Sequence, residues 1–430
     1  MDKLKNHLIG CDECGLITNV PLLSQAQTAQ CPRCGHTLTQ TPQKPYQTAV
    51  ALTISCLILL VLSLTFPFMS FSVQGMTQEI TLLNAAKMLG EFQNVLLAIL
   101  LFTTVILFPA LYITILLFVS FKAAQSTQRQ LSSSEIQRAK LLCKTLLTVQ
   151  PWLMVDVFLI GVLVSLIKIA SLAEVAMGYS FWAFCFFAML VVKTVSLVDR
   201  YWLWQHFIPA QTPQGVNAGQ THCTHNSVNC HTCQQINLLR PDQKKPTCLR
   251  CGSRLHAYHP QLNLQWAWAL LLAAIIFYIP ANLYPMMYTV SLGKSEGSTI
   301  MQGVILLWQL GSYPVAMVIF LASIFIPMAK MFALGWLYWQ AGKLNVFPEQ
   351  QNLKRLKLYR VTEFIGRWSM IDIFVVAILV ALVQLHNLMA IYPGPAALSF
   401  AAVVILTMLS AMVFDSRILW QEPPVSHQQQ

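Results

Sequence analysis

The fold class this sequence predicts is an all-α polytopic membrane protein, built as two tandem parallel repeats. Each repeat sets a small four-cysteine zinc ribbon ahead of four transmembrane helices. Three observations predict it. Hydrophobic residues make up 56% of the 430 and charged residues only 10%, more apolar surface than one soluble core can hide, and they fall in runs near the roughly 20 residues that span a bilayer. Paired Cys-x2-Cys knuckles stand ahead of each apolar half: Cys11/Cys14 with Cys31/Cys34, and Cys230/Cys233 with Cys248/Cys251. Landmarks also recur in register. Pro67 and Pro109 return as Pro285 and Pro327, 218 residues on; Trp152-x-Met154-x-Asp156-x-Phe158 returns as Trp368-x-Met370-x-Asp372-x-Phe374, and Asp199 with Trp204 as Asp415 with Trp420, 216 residues on. Matched landmarks of this kind indicate duplicated architecture.

The first element, residues 1–45, is the first ribbon. Gaps of 16 and 14 residues between the paired knuckles fit, or sit one short of, the spacing of a four-thiolate zinc site, and Gly15, Gly35 and Gly252 follow three of the knuckles where tight turns aim amides at sulfur. Zinc is the expected ion, two per chain. A rubredoxin-like iron is the functional rival, and thiol-redox Cys-x2-Cys a third reading that lacks the surrounding strand-helix pattern. A closed four-cysteine site leaves no position for a metal-bound water, so the ions are expected to be structural. His36, His222, His225 and His231 lie near enough to be weighed as ligands, with exposed ribbon histidines as the plainer reading.

The first transmembrane domain, 46–205, should hold spans from about Ala49 to Phe68, Val95 to Phe118, Trp152 to Leu172 and Phe181 to Val198. The second ribbon follows at 206–260. The second transmembrane domain, 261–421, repeats the plan from about Trp266 to Tyr284, Tyr313 to Tyr338, Trp368 to Leu385 and Ala397 to Phe414, and 422–430 is a disordered tail. An even number of spans per half puts both ribbons on one side. Of 27 Lys and Arg, 22 fall in the segments on the ribbon side and only Lys87 and Lys294 in the opposite loops, so the positive-inside rule makes the ribbons and both termini cytosolic. No cleavable signal peptide precedes the first module, which agrees. The net charge of +11 is then an orientation signal with some attraction to anionic headgroups rather than a nucleic-acid footprint. No cysteine falls in an outer loop, which argues against a disulfide framework.

Ionisable groups inside spans usually face a bundle interior or a wet path, because each costs about 2.5–3.5 kcal/mol to insert. Lys168, toward the outer end of the third span, is the first candidate, with Ser165 and Ser171 at i−3 and i+3 on one polar face; a snorkelling lysine is the alternative. Asp156 and Asp372 follow, each one turn past a tryptophan at a helix start, where a carboxylate also caps the helix dipole. Lys330, after Pro327, could occupy a kinked, wet site or snorkel to the near headgroups. Outside the spans, Thr81 and Thr299 suit N-caps of short apolar segments too short to cross.

Several motifs carry a resemblance. The knuckle Cys31-Pro32-Arg33-Cys34-Gly35, the run Leu283-Tyr284-Pro285, the turn Gly311-Ser312-Tyr313-Pro314 and above all Gly366-Arg367-Trp368-Ser369-Met370-Ile371-Asp372 resemble the paraquat-inducible protein A family of Gram-negative inner-membrane proteins. The resemblance implies a membrane partner of an MCE-domain protein, whose periplasmic rings form a tunnel for lipids between the inner and outer membranes. It also implies a polar network near Lys168; Ser171 stands where some relatives carry an acid, which leaves a complete proton relay open.

No Walker A loop, Gly-x-Ser-x-Gly elbow or His-Glu-x-x-His is present, so no enzyme activity is expected. The expected role is lipid movement across the envelope, with a periplasmic MCE-domain protein and membrane phospholipids as partners and no nucleic acid. A zinc-ribbon anchor or scaffold that holds the MCE partner and moves nothing itself is the alternative.

Overall fold

The computed structural model describes residues 7–21, 23–41, 45–73, 76–84, 87, 95–126, 132–170, 174–221, 227–239, 246–255, 259–291, 294–309, 311, 313–343, 348–382, 384–385 and 389–420. Each half opens with knuckle-bearing turns. β1 (His7–Gly10) pairs antiparallel with β2 (Ile17–Val20), and β3 (Thr28–Gln30) with β4 (Thr37–Gln40). In the second half β8 (Ser227–Asn229) pairs with β9 (Ile236–Leu238), and a single Thr247–Arg254 bridge takes the place of a second hairpin.

The helices follow in matching order. The first half runs α1 (Pro45–Thr65), α2 (Val95–Leu101), a π-helix over Phe102–Leu107, α3 (Phe108–Ser126), α4 (Ser133–Val149), α5 (Val155–Ala170), α6 (Tyr179–Leu197) and α7 (Arg200–Phe207). The second runs α8 (Pro260–Leu283), α9 (Ile300–Gln309), α10 (Tyr313–Phe320), a π-helix over Leu321–Phe325, α11 (Ile326–Gly342), α12 (Glu349–Trp368), α13 (Ile371–Leu382), α14 (Pro395–Val413) and a 3-10 turn over Ser416–Trp420. Both π-helices end just before Pro109 or Pro327. A proline lacks the N–H that would close the helical turn and its ring crowds the carbonyl four residues back; winding that turn wider accommodates both defects.

Seven described helical segments are long and apolar enough to cross a membrane. Eight spans are predicted from the sequence. The difference falls at the seventh, where α13 is only 12 residues long; the helix break before it at Ser369 and Met370 matches the break at residues 150–154 before α5. Thr81 and Thr299 do cap short turns, accepting from the amides of Asn84 (3.2 Å) and Gln302 (3.3 Å). At the end away from the knuckles the chain also builds small antiparallel sheets that composition does not announce. β5 (Met69–Val73) lies between β6 (Met76–Ile80) and β7 (Glu174–Met177), while β10 (Met287–Ser291) lies between β11 (Lys294–Ser298) and β13 (Met389–Pro393), with β12 (Gln384–Leu385) outside. Sheet pairing brings the start of the last span in each half onto the end of its first. The Gly178 amide donates to the Phe68 carbonyl and the Gly394 amide to the Met286 carbonyl. There is no room for a side chain there: a Cβ would sit 2.0 Å from the Pro67 oxygen at Gly178 and 2.1 Å from the Pro285 oxygen at Gly394.

The halves meet along α5 and α13. Phe158 packs edge-to-face on Phe374, centroids 5.5 Å apart, and each is the other's counterpart in the repeat. Met154 and Met370 are buried alike. A residue touching its own equivalent marks a pseudo-two-fold axis through the seam.

Alanine at Gly178 or Gly394 should therefore destabilise the protein by about 1–3 kcal/mol, since backbone oxygen cannot move aside. Gly303→Ala in α9, where a Cβ would meet nothing within 4 Å, is the neutral control. Thermal unfolding in detergent measures both, and equal melting of all three variants would contradict the close approach.

Candidate metal centres and buried polar groups

The cysteines converge as their spacing predicts. Cys11, Cys14, Cys31 and Cys34 form one buried group and Cys230, Cys233, Cys248 and Cys251 another, with all sulfurs of a group within 4.8 Å of one another. The Cys11–Cys34, Cys14–Cys31, Cys230–Cys251 and Cys233–Cys248 sulfur pairs are each 3.5 Å apart, near the roughly 3.8 Å edge of a tetrahedron with about 2.3 Å metal–sulfur bonds. None of the described cysteines is in a disulfide. The set therefore fits a four-thiolate metal ion, whose charge would offset the mutual repulsion of buried thiolates.

Each knuckle turns the same way. The amides of Cys11, Cys31, Cys230 and Cys248 donate across their turns to the carbonyls of Leu16, His36, Gln235 and Ser253. The residue after each second cysteine of a knuckle is left-handed: Gly15 (φ 76°), Gly35 (φ 69°), Gly252 (φ 71°) and, in the fourth, Gln234 (φ 55°). A non-glycine there carries a local cost, and the Gln234 amide group reaches Asp12 of the other ribbon at 3.3 Å. His36 stands outside the first cluster, its Nδ1 facing Glu13 at 3.2 Å; His231 stands outside the second, and His222 and His225 lie outside the described residues.

The ribbons touch each other and exchange partners. Asn229 donates to the Gly10 carbonyl (3.1 Å) and to Asp12 (2.7 Å), and Gly10 and Asn229 are repeat counterparts. The hydrophobic interior of the first ribbon merges with α8, α11, α14 and Trp420 of the second half, whereas the second cysteine cluster merges with the core of the first half. Related contacts cross the axis in both directions. Arg33 lies over the Trp420 ring at 4.5 Å, and its counterpart Arg250 over the Tyr201 ring at 5.4 Å. The Ser416 hydroxyl donates to the Glu13 carbonyl as Arg200 donates to that of His231. Glu13 is the strongest of these anchors: Arg360 of α12 forks onto its carboxylate and also donates to the Cys34 carbonyl (3.1 Å). Burial would push Glu13's carboxyl up, but hydrogen bonds from His36 and Arg360 outweigh it and hold it at about 2, so it stays ionised. Asp199 ties the first ribbon to its own half, accepting from Thr39 (3.0 Å), from the Gln40 amide (3.1 Å) and from Trp202 as the N-cap of α7 (2.8 Å).

The membrane candidates divide. Lys330 is 3% exposed; its ammonium donates to Thr407 at 3.0 Å and lies against Gly366, where a Cβ would come within 3.1 Å of Nζ. It faces the bundle interior and does not snorkel, and it has no carboxylate partner among the described residues. Ser165 is buried at the seam, donating to the Gly161 carbonyl (2.8 Å) with the Val375 carbonyl at 3.5 Å. Asp156 is half-buried in the first turn of α5. Lys168 and Asp372 sit on α5 and α13 with side chains outside the described residues, and Ser171, beyond the end of α5 at Ala170, is outside them altogether. Thr407, Glu13 and Arg360 were not singled out by sequence, and Gly366 entered only as part of a family motif, since none of them shows a role until the fold supplies its neighbour.

These features define a multi-pass membrane protein made of two tandem repeats, each with a buried four-cysteine cluster able to bind a metal ion. The family model described as "Paraquat-inducible protein A" matches residues 46–208 and 264–423. The chain is 40% identical over 98% of its length, and 97% of the relative's, to the Escherichia coli K12 protein named "Intermembrane transport protein PqiA". It is 31% identical over 96% of both chains to a Haemophilus influenzae "Probable intermembrane transport protein". It is also 27% identical, over 95% of this chain and 90% of the other, to the Escherichia coli K12 "Lipophilic envelope-spanning tunnel protein A". The chain belongs to the paraquat-inducible protein A family. No solved structure matches it.

Removing the fork onto Glu13 should loosen the first ribbon alone. Arg360→Ala is expected to cost about 1–2 kcal/mol, allowing for screening at a partly exposed guanidinium. It should also speed loss of one metal equivalent to a chelator while the other is retained. Unchanged release of both would show that the ribbon does not depend on this anchor.

Proposed function

We propose that this chain is the inner-membrane component of an intermembrane lipid transport system, passing lipids to or from a periplasmic MCE-domain tunnel and supporting envelope integrity. The observation that carries the reading is near-full-length similarity to proteins named for intermembrane transport and for an envelope-spanning tunnel. The cysteine modules, within 1–45 and 206–260, are assigned to the cytosol by the concentration of Lys and Arg at their end of the chain. Zinc is the ion assigned to both, since a closed set of four sulfurs suits a d10 cation with no geometric preference of its own.

Within the membrane, the polar groups proposed to serve transport are Lys168, Ser165, Ser171, Asp156, Asp372 and Lys330. Lys330 has the clearest physical basis. A buried ammonium with only a hydroxyl for a partner is an expensive arrangement, one suited to a group that exchanges a proton or meets a headgroup. Thr407, its acceptor, joins the set.

Two measurements test this. Purified protein should carry two zinc ions per chain, and Cys31→Ser or Cys248→Ser should each remove one and lower the yield of folded protein; stoichiometric iron would replace the zinc assignment. In a reconstituted lipid-transfer assay with the MCE-domain partner, Lys330→Ala and Lys168→Ala should abolish transfer while abundance and partner binding persist. Full transfer by both variants would favour a scaffold that only holds the tunnel.

A further inference from the structure

Along α12 the exposed side chains change character within one turn. At 100° per residue, Lys354, Lys357, Val361, Phe364 and Trp368 fall on one face about 80° wide. Lys354 and Lys357 are exposed, and neither has an acidic partner among the described residues. The next cation on the helix, Arg360, is already engaged by Glu13. Like charges three residues apart repel on an isolated helix, so the pair stands without internal compensation. Beyond it Val361 and Phe364 are 52% and 55% exposed, and Phe364 lies against Trp368, centroids 5.9 Å apart.

This pattern is the profile of a helix entering a bilayer. The step from Lys357 to Val361 is about 6 Å of rise, comparable to one headgroup layer of about 5–8 Å. The length of the seventh span agrees with it. With 12 residues α13 is about 18 Å long against about 30 Å of hydrocarbon, and the exposed Val361 and Phe364 of α12 extend the apolar surface toward the headgroups, while Glu363 and Arg367 lie off their face of the helix. Exposed Trp339 at the end of α11, with Lys343 over its ring at 3.9 Å, gives the neighbouring helix an interfacial aromatic and cation of the same kind. The first half differs: α4 carries Arg138 and Leu141 at the positions of Lys354 and Lys357, so the lysine pair belongs to the second half alone.

We propose that the Lys354–Lys357 stripe of α12 is a docking surface for anionic phospholipid, a headgroup phosphate bridging the two ammonium groups while the acyl chains lie along Val361 and Phe364. The occupant is a lipid of the leaflet at the cysteine-cluster end, because charge and apolar surface are continuous on one face and only an amphiphile meets both. It is independent of whether the chain moves lipids, since it concerns retention at rest.

The test uses the full chain in nanodiscs of POPC containing a minority of POPG, with native mass spectrometry reading the POPG-to-POPC ratio of retained lipid. The parent should enrich POPG. The K354Q/K357Q variant should lose that enrichment by about fivefold per lysine removed, whereas K354R/K357R should keep it. Raising salt on the parent protein should lower the enrichment, because an exposed pair is screened. Enrichment in the glutamine variant equal to the parent's, or enrichment in the parent that is absent or indifferent to salt, would overturn the proposal.

Discussion

Phe158 rests its ring edge on Phe374, and Phe374 is the same residue one repeat later. That self-contact is the constraint on which the rest of the molecule depends. Two parallel repeats in one membrane can bury the same helix face against each other only around a two-fold axis normal to the bilayer, and α5 and α13 supply the matching faces. Once the axis is set, the ribbon of each half lies over the other half's final helical turn. Contacts such as Arg33 on Trp420 and Arg250 on Tyr201 then appear in pairs. Lipid offers no hydrophobic drive for helix association, so close aromatic packing at the seam and polar docking at the ribbons must together hold the halves.

Much of this was legible beforehand, for physical reasons. Sulfur spacing specified the two clusters because four thiolates can satisfy one ion in few ways, and the left-handed turn after each knuckle announces itself as glycine in three of four cases. The fourth, Gln234, hides the same conformation behind a residue that gives no signal. Span count was nearly legible. Hydropathy measures apolar length and not helical continuity, so the helix breaks at residues 150–154 and at Ser369 and Met370, where the third and seventh spans begin, leave no mark in it. The sheets of the far end were invisible, since strands such as Glu174–Met177 are short and take their order from pairing with distant segments. Arg360 and Glu13, 347 positions apart, meet only because the ribbon crosses the axis.

The duplication is architectural, and at one depth the chemistry has diverged. Lys330 corresponds to Tyr112, and Gly366 to Gln150. In the second half the lysine has Thr407 and the space a glycine leaves. In the first half the Tyr112 hydroxyl and the Gln150 carbonyl oxygen are buried without a protein partner among the described residues. Unpartnered buried oxygens carry a desolvation cost of about 1–3 kcal/mol each, so at these two matched positions it is the half without the lysine that is left with unsatisfied oxygens. Whatever polar work the membrane core performs is divided unequally between two halves of one shape.

The crossing of the ribbons also bears on how such a chain could have arisen. A single repeat, standing alone, would leave its seam helix and the aromatic dock for a knuckle uncovered. A second identical copy, turned by half a revolution, would cover both at once. The architecture is that of a ribbon-swapped homodimer whose subunits have been joined end to end. Fusion fixed the stoichiometry at one of each, and it freed each copy to accept substitutions that a true dimer would have been forced to carry twice.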